Sequence, residues 1–188
     1  MGKLTYTMIT SLDGYVSGPD GRFDWAMPDE ETHRFINERE RAVGTYLYGR
    51  RMFEMMSYWA SPEALDGVDY TEEYAHIWRA ADKVVYSSTL EEPTIERTRL
   101  VRAVDPDAVR ALKESSEGEL CVAGPMLAAA MLRAGLVDEL GVYVVPAVVG
   151  GGTRMLPDAL TLDLALIEEQ RFSSGFVLLR YAIRGASA

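Results

Sequence analysis

Apolar positions along the chain cluster in short continuous runs separated by segments of helical spacing. LTYTMI (residues 4–9), TYLYG (45–49), KVVYS (83–87), LCVAG (120–124), LGVYVVPAVVG (140–150) and FVLLRYAI (176–183) are rich in Val, Ile and Tyr and bounded by Gly, Pro or charge. That pattern predicts strands. PDEETHRFINERERAV (28–43), DPDAVRALKESSEG (105–118) and PMLAAAMLRAGL (125–136) carry acidic first turns or a Pro at the first helical position, which predicts helices. VYVVPAVV is apolar at almost every position, as suits a strand buried on both faces, and Pro146 within it predicts a bulge or a sheet edge because proline donates no ladder hydrogen bond. LIEEQRFSSGFVLLRYAI predicts two antiparallel strands turning around residues 173–175, with Gly175 as the permissive turn residue. The expected architecture is α/β, a mostly parallel sheet that ends in an antiparallel hairpin, with helices on its flanks.

Composition narrows the class. With 48% apolar and 26% charged residues over 188 positions, the chain can bury about 70% of its unfolded surface in one core. No low-complexity stretch or internal repeat interrupts it, so one domain is expected over residues 1–188. A formal charge of −10 gives no general attraction to nucleic acid or to an anionic membrane, and any polyanionic ligand needs a local cationic cluster. The single cysteine, Cys121, permits no intramolecular disulfide and falls in a predicted buried strand, where it reads as a small core residue. The first residues lack a signal-peptide pattern, and no apolar run approaches the ~20 residues of a membrane helix, so a cytoplasmic protein is expected.

Several chemistries lack their motifs. There is no GxGxxG, no GxxxxGK[ST] and no GxSxG elbow. His33 and His76 are far apart in sequence and one cysteine cannot build a sulfur-rich shell, so no metal site is expected.

Five segments at predicted strand ends carry the unusual residues, and in open α/β sheets ligands collect at the carboxyl ends of strands. SLDGYVSGPDG (11–21) brings Asp13 and Gly14 after the first strand, as either an acid site or an ordinary turn. FDWAMPDEETHRF (23–35) sets Trp25 and Pro28 before an acidic helix start, whose carboxylates also suit the helix dipole. YLYGRRMFEMM (46–56) places Gly49, Arg50 and Arg51 directly after a strand, where an arginine pair can grip a phosphate or simply open a solvated helix. VVYSSTL (84–90) ends a strand in Ser87 and Ser88, able to donate to phosphate or ribose or to cap a turn. LCVAGPMLAAAML (120–132) passes through Ala123, Gly124 and Pro125 into a helix, a junction lean enough for a pyrophosphate to approach free N–H groups, or merely a tight connection.

The order and spacing of these segments resemble the dihydrofolate reductase-like superfamily, in particular the C-terminal reductase domain of bifunctional riboflavin-biosynthesis proteins. SLDGYVSGPDG with Trp25, YGRRMFE, VVYSS, VAGPMLAAAML and GLVDELGVYVVPAVVGGGTRML (135–156) carry the likeness over nearly the whole chain. The resemblance implies a mixed sheet of about eight strands, bound NADPH and an activity similar to 5-amino-6-(5-phosphoribosylamino)uracil reductase. The alternatives are a pterin reductase or a non-catalytic NADP-binding sensor. It implies that Gly49, Arg50 and Arg51 hold the 2′-phosphate, that Ser87 and Ser88 contact the same end, and that Ala123, Gly124, Pro125 and Met126 cradle the pyrophosphate. Met52 departs from the threonine often found at its position, and the Gly124–Pro125 bond is a place where a cis peptide could survive. For the substrate, the resemblance points to Trp25, Gly150, Gly151, Gly152 and Thr153, with Asp13 and Glu30 as alternative catalytic acids. A homodimer is also implied. No zinc-deaminase signature occurs in the sequence, so a reductase unit by itself is expected.

Overall fold

The computed structural model, which describes residues 2–187, contains strands β1 (Leu4–Thr10), β2 (Tyr15–Ser17), β3 (Val43–Gly49), β4 (Asp82–Tyr86), β5 (Thr98–Val101), β6 (Glu119–Ala123), β7 (Glu139–Val144), β8 (Thr153–Arg154), β9 (Thr161–Arg171) and β10 (Val177–Ser187). Its helices are α1 (Glu30–Glu40), α2 (Arg50–Met56), α3 (Asp69–Ala80), α4 (Pro106–Ser115) and α5 (Pro125–Arg133). Eight strands form one sheet in the order β5-β4-β3-β6-β1-β7-β10-β9, and β2 with β8 makes a small separate pair. The strands from β5 to β7 run parallel, whereas β10 is antiparallel to both β7 and β9. The expected parallel sheet with a terminal antiparallel hairpin is therefore present, its turn closing through Phe172 and Phe176 around Gly175 at φ 88°.

Helices cover both faces because alternate residues of the inner strands are apolar on both sides. Leu4, Tyr6, Leu47, Leu120, Val122 and Leu140 pack with Val109 of α4 and Leu127, Met131 and Leu132 of α5. On the other face Tyr46, Tyr48, Val85 and Cys121 pack with Phe53 of α2 and Tyr74 and Trp78 of α3. Cys121 is buried there, and desolvation holds its thiol far above the usual range, in keeping with a core role. A third cluster joins Tyr143, Val145, Phe172, Phe176 and Leu178, with Trp25, Phe35 and Ala147 against it. Among the described residues no helix is long and apolar enough to cross a membrane.

Local chemistry fixes the helix starts. Asp29 caps α1 by accepting from the Thr32 amide, and Asp105 caps α4 by accepting from the Asp107 amide ahead of Pro106. Each of the three expected helices is shorter than its apolar periodicity, since capping rather than pattern sets the boundary. Pro146 corrects an expectation. β7 stops at Val144, and Pro146 makes neither a bulge nor an edge inside a strand. Val145 donates the last bond of the ladder to Thr10, and the chain then leaves the sheet where proline has no N–H to continue it.

Lys83 is an unusual core residue. It is 1% exposed, donates from Nζ to the Arg79 and Ala81 carbonyls at 3.2 and 2.9 Å, and lies 4.2 Å from the centre of the Trp78 ring. Burial, reinforced by the charge of Arg97, pushes its ammonium down to about 8. The unfolded lysine keeps its proton to about pH 10.4, so between those values the unfolded chain binds more protons and stability rises with pH. Urea unfolding at about pH 7 and about pH 10 is expected to show the protein gaining up to about 3 kcal/mol relative to Lys83→Met. A pH-independent difference would refute the assignment.

Candidate functional site

The register of the parallel strands sets their carboxyl ends level. Thr10 lies opposite Val144, Tyr48 opposite Ala123, Gly49 opposite Tyr86, and Tyr86 opposite Val101. Four of the five segments singled out in the sequence consequently emerge along one edge of the sheet, where ligands of open α/β folds bind, while the segment 23–35 follows β2 of the separate pair and runs into α1.

At one end of this edge, Gly49 precedes α2 in extended conformation and Arg50 opens the helix. Arg50 donates through Nε to Glu54 at 2.7 Å and through Nη1 to the Thr89 hydroxyl at 2.9 Å, which ties it to the loop after β4; Arg51 is exposed beside it. Ser87 is buried, and its hydroxyl accepts from the Thr89 and Leu90 amides at 3.2 and 2.9 Å, so it builds the turn that presents exposed Ser88. Arg102, at the end of β5, donates to the carbonyls of Ser87 and Leu90 at 3.3 and 2.7 Å. Sequence reasoning missed Arg102 because four-residue β5 (TRLV) is too short and too charged to stand out as a strand.

Beside it, β6 ends at buried Ala123 and Gly124 turns the chain at φ 97° into α5. A Cβ on Gly124 would lie 3.1 Å from Cβ of Met52, so a larger residue would press on Met52 as well as being strained by the positive φ. Pro125 is the first helical residue and Ala128 donates to the Gly124 carbonyl, leaving the first-turn amides of Met126 and Leu127 without intrahelical acceptors. The Gly124–Pro125 bond is trans, since no cis peptide occurs among the described residues. The positive φ of Gly124 makes the turn without one. Gly124 itself brings no side chain, though Met52 of α2 packs against it, and the first-turn amides of α5 beside it fit a dinucleotide pyrophosphate.

At the opposite end two loops are joined. Leu12 donates to the Ala147 carbonyl at 2.7 Å, Met155 donates to Gly14, and Tyr15 pairs with Arg154 across β2 and β8. Asp13 accepts from the Val149 amide at 3.2 Å and the Gly150 amide at 2.8 Å. The Ser11 hydroxyl first, then the Gly150 and Val149 amides, hold its carboxyl below the ordinary aspartate value against the cost of desolvation. Gly150 has φ 74° and Gly152 φ 118°, and a Cβ on Gly152 would lie 2.0 Å from the Ser17 carbonyl oxygen. Gly151 faces Pro19, Thr153 pairs with Ser17, and Trp25 is half-buried in the third cluster next to Ala147. Glu30 is set apart from this group: its exposed carboxylate accepts from Arg34, which also donates to Asp69. Of the two acids, Asp13 joins the loop cluster and Glu30 belongs to a surface ion-pair chain.

A shallow cavity of about 770 Å³ opens at the other edge of the sheet, between α3 and the starts of β3 and β4. Its cations are engaged by acids, Arg41 by Glu73 and Arg97 by Asp82, so it offers less to an anion than the strand-end edge does. No cluster of three or more potential metal-ligating side chains occurs among the described residues.

Comparison with known proteins agrees with this geometry. The family model described as the RibD C-terminal domain matches residues 2–178. An uncharacterized protein of Bacillus subtilis (strain 168), YyaP, is 24% identical over 186 residues, covering 97% of this chain and 96% of its own. A crystal structure from Shewanella sp. PV-4, provisionally assigned to riboflavin biosynthesis, superposes with a TM-score of 0.76 at 20% identity, covering 97% of this chain and 99% of that one. Dihydrofolate reductase from Enterococcus faecalis, solved with NADP(H) and RAB-propyl, superposes with a TM-score of 0.62 at 14% identity over 98% of both chains. The fold is thus dihydrofolate reductase-like.

Proposed function

Because the chain belongs to the RibD C-terminal domain family, we propose that it is an NADPH-dependent reductase delivering hydride to a C=N or C=O carbon of a small heterocyclic or sugar-derived substrate. One observation carries the reading: a single sheet edge joins an arginine-bearing strand end, a helix N-terminus entered through glycine and a pair of loops fastened by Asp13. When bound, the dinucleotide supplies the hydride; everything else is positioning.

Arg50 and Arg51, with Ser88 and Thr89 opposite, are the groups for the 2′-phosphate, and Arg102 stiffens the loop they face. The first-turn amides of α5 suit the pyrophosphate, which gains from the positive end of the helix. Ionised Asp13 accepts hydrogen bonds and donates none. Its oxygens have about four acceptor sites, of which the loop amides use two and the Ser11 hydroxyl a third, so the one left can orient a substrate N–H or O–H while the proton for the reduced atom comes from water.

Arg50→Ala is expected to weaken NADPH roughly tenfold to a hundredfold while changing NADH by less than about twofold, because a charge-assisted bond to phosphate is worth about 1.5–3 kcal/mol. Fluorescence titration with both dinucleotides checks this, and an equal loss for the two would reduce Arg50 to its bonds with Glu54 and Thr89.

A further inference from the structure

Resting on the reductase reading, we infer that the loop end of the site takes an uncharged, largely apolar carbonyl or imine compound in place of a phosphorylated one. Leu12 is 68% exposed, Met27 67%, Val148 69% and Phe23 41%. All four lie on or beside the two loops, and the most exposed apolar side chain, Met126 at 79%, stands in the first turn of α5 on the same edge. Leu12 and Val148 adjoin Asp13 and Ala147, the residues whose hydrogen bonds fasten the two loops together. Phe23 and Met27 each lie two residues from Trp25, which packs in the cluster that also holds Ala147. Exposed apolar side chains gathered on one rim mark a surface that is covered in use, and here the rim continues the edge assigned to the cofactor.

The loop end of that edge carries fewer cations. The cofactor end carries Arg50, Arg51 and Arg102, whereas the two loops carry Arg22, paired with Asp24 at 2.5 Å, and Arg154, stacked 4.9 Å from the centre of the Tyr15 ring. The chain's three lysines are all at the far edge: Lys3 bonds Glu139, Lys83 the end of α3, and Lys113 Asp138. A phosphate dianion entering between the loops would meet anionic Asp13 and four apolar side chains, with Arg154 and an Arg22 already held by Asp24 as the cations of the two loops. The reaction balances simply: the C=O or C=N carbon gains hydride from the reduced dinucleotide, which becomes oxidised, and the oxygen or nitrogen gains a proton from water.

The test uses the full chain saturated with NADPH, after a separate NADPH titration. Failure of that titration overturns the reductase reading, and it is scored apart from the substrate comparison. 4-Hydroxyacetophenone and its phosphate ester form a matched pair, read by NMR at the methyl groups of Leu12, Met27 and Val148 and by NADPH consumption. The neutral ketone is expected to shift those methyls and to bind at least about tenfold more tightly than its ester, with Met27→Lys and Val148→Lys each reversing the preference. Equal or tighter binding of the ester, especially if lost in Arg154→Gln, overturns the inference. So does a lack of response at the three methyls to either compound.

Discussion

Replacing Arg180 by alanine is expected to cost about 3–5 kcal/mol of unfolding free energy, a large share of the 5–15 kcal/mol typical of a domain. Arg180 donates to Glu139 at 2.6 Å and to Glu168 at 2.8 Å, with its side chain 21% exposed. Glu139 has a side chain only 6% exposed, and its other partner, Lys3, is 60% exposed and freer to move. Removing Arg180 leaves a nearly buried carboxylate with one solvated partner, the situation in which breaking an ion pair is most costly. The chain of alternating charge continues through Glu168 to Arg39, so it links β7, β10 and β9 to α1. Urea unfolding of Arg180→Ala measures the loss, and adding Glu139→Gln to it should recover most of the difference. A loss below about 1 kcal/mol would make this an ordinary surface pair.

Gly152→Ala is expected to separate the two loops that Asp13 joins, whereas Gly150→Ala, two residues away, is expected to be mild. Both glycines have positive φ, but a Cβ at 150 meets nothing within 4 Å and one at 152 would lie 2.0 Å from the Ser17 carbonyl oxygen and 2.6 Å from the Gly18 carbonyl carbon. At 150 the cost is conformational alone, about 1 kcal/mol. At 152 backbone must move against backbone, and the β2–β8 pairing beside it gives way, at about 3 kcal/mol or more. Amide exchange reads the difference without knowledge of the substrate. The Met155 amide, bonded to Gly14, should lose protection in Gly152→Ala and keep it in Gly150→Ala. Similar protection in the two variants would mean that the close approach at 152 does not hold the loops.

Legibility in the sequence depends on which elements leave a local mark. The inner strands show as apolar runs because both faces are covered, and α1, α4 and α5 show through caps and Pro at their starts. α3 is marked more weakly: Tyr70, Tyr74, Ile77 and Trp78 have helical spacing and Asp69 and Glu72 lie in its first turn, but it has no Pro at its start and its N-cap, Val68, offers no side-chain cap. β2 and β8 are three and two residues long, below the length at which alternation means anything. The strand-end segments are legible as places of small, charged or hydroxyl residues. Their joining is not: Asp13 is held by amides 136 and 137 residues later, and a backbone N–H has no sequence signature.

The positions of the three lysines have a practical consequence. Lys83 and Lys113 are buried, with 1% and 8% exposure, which leaves Lys3 as the one solvent-exposed lysine amine among the described residues. It precedes β1, at the end of the sheet opposite the strand-end loops. Lysine-directed chemistry, whether a dye, a biotin or a sensor surface, would therefore attach the protein by its back and leave the strand-end loops turned to solution.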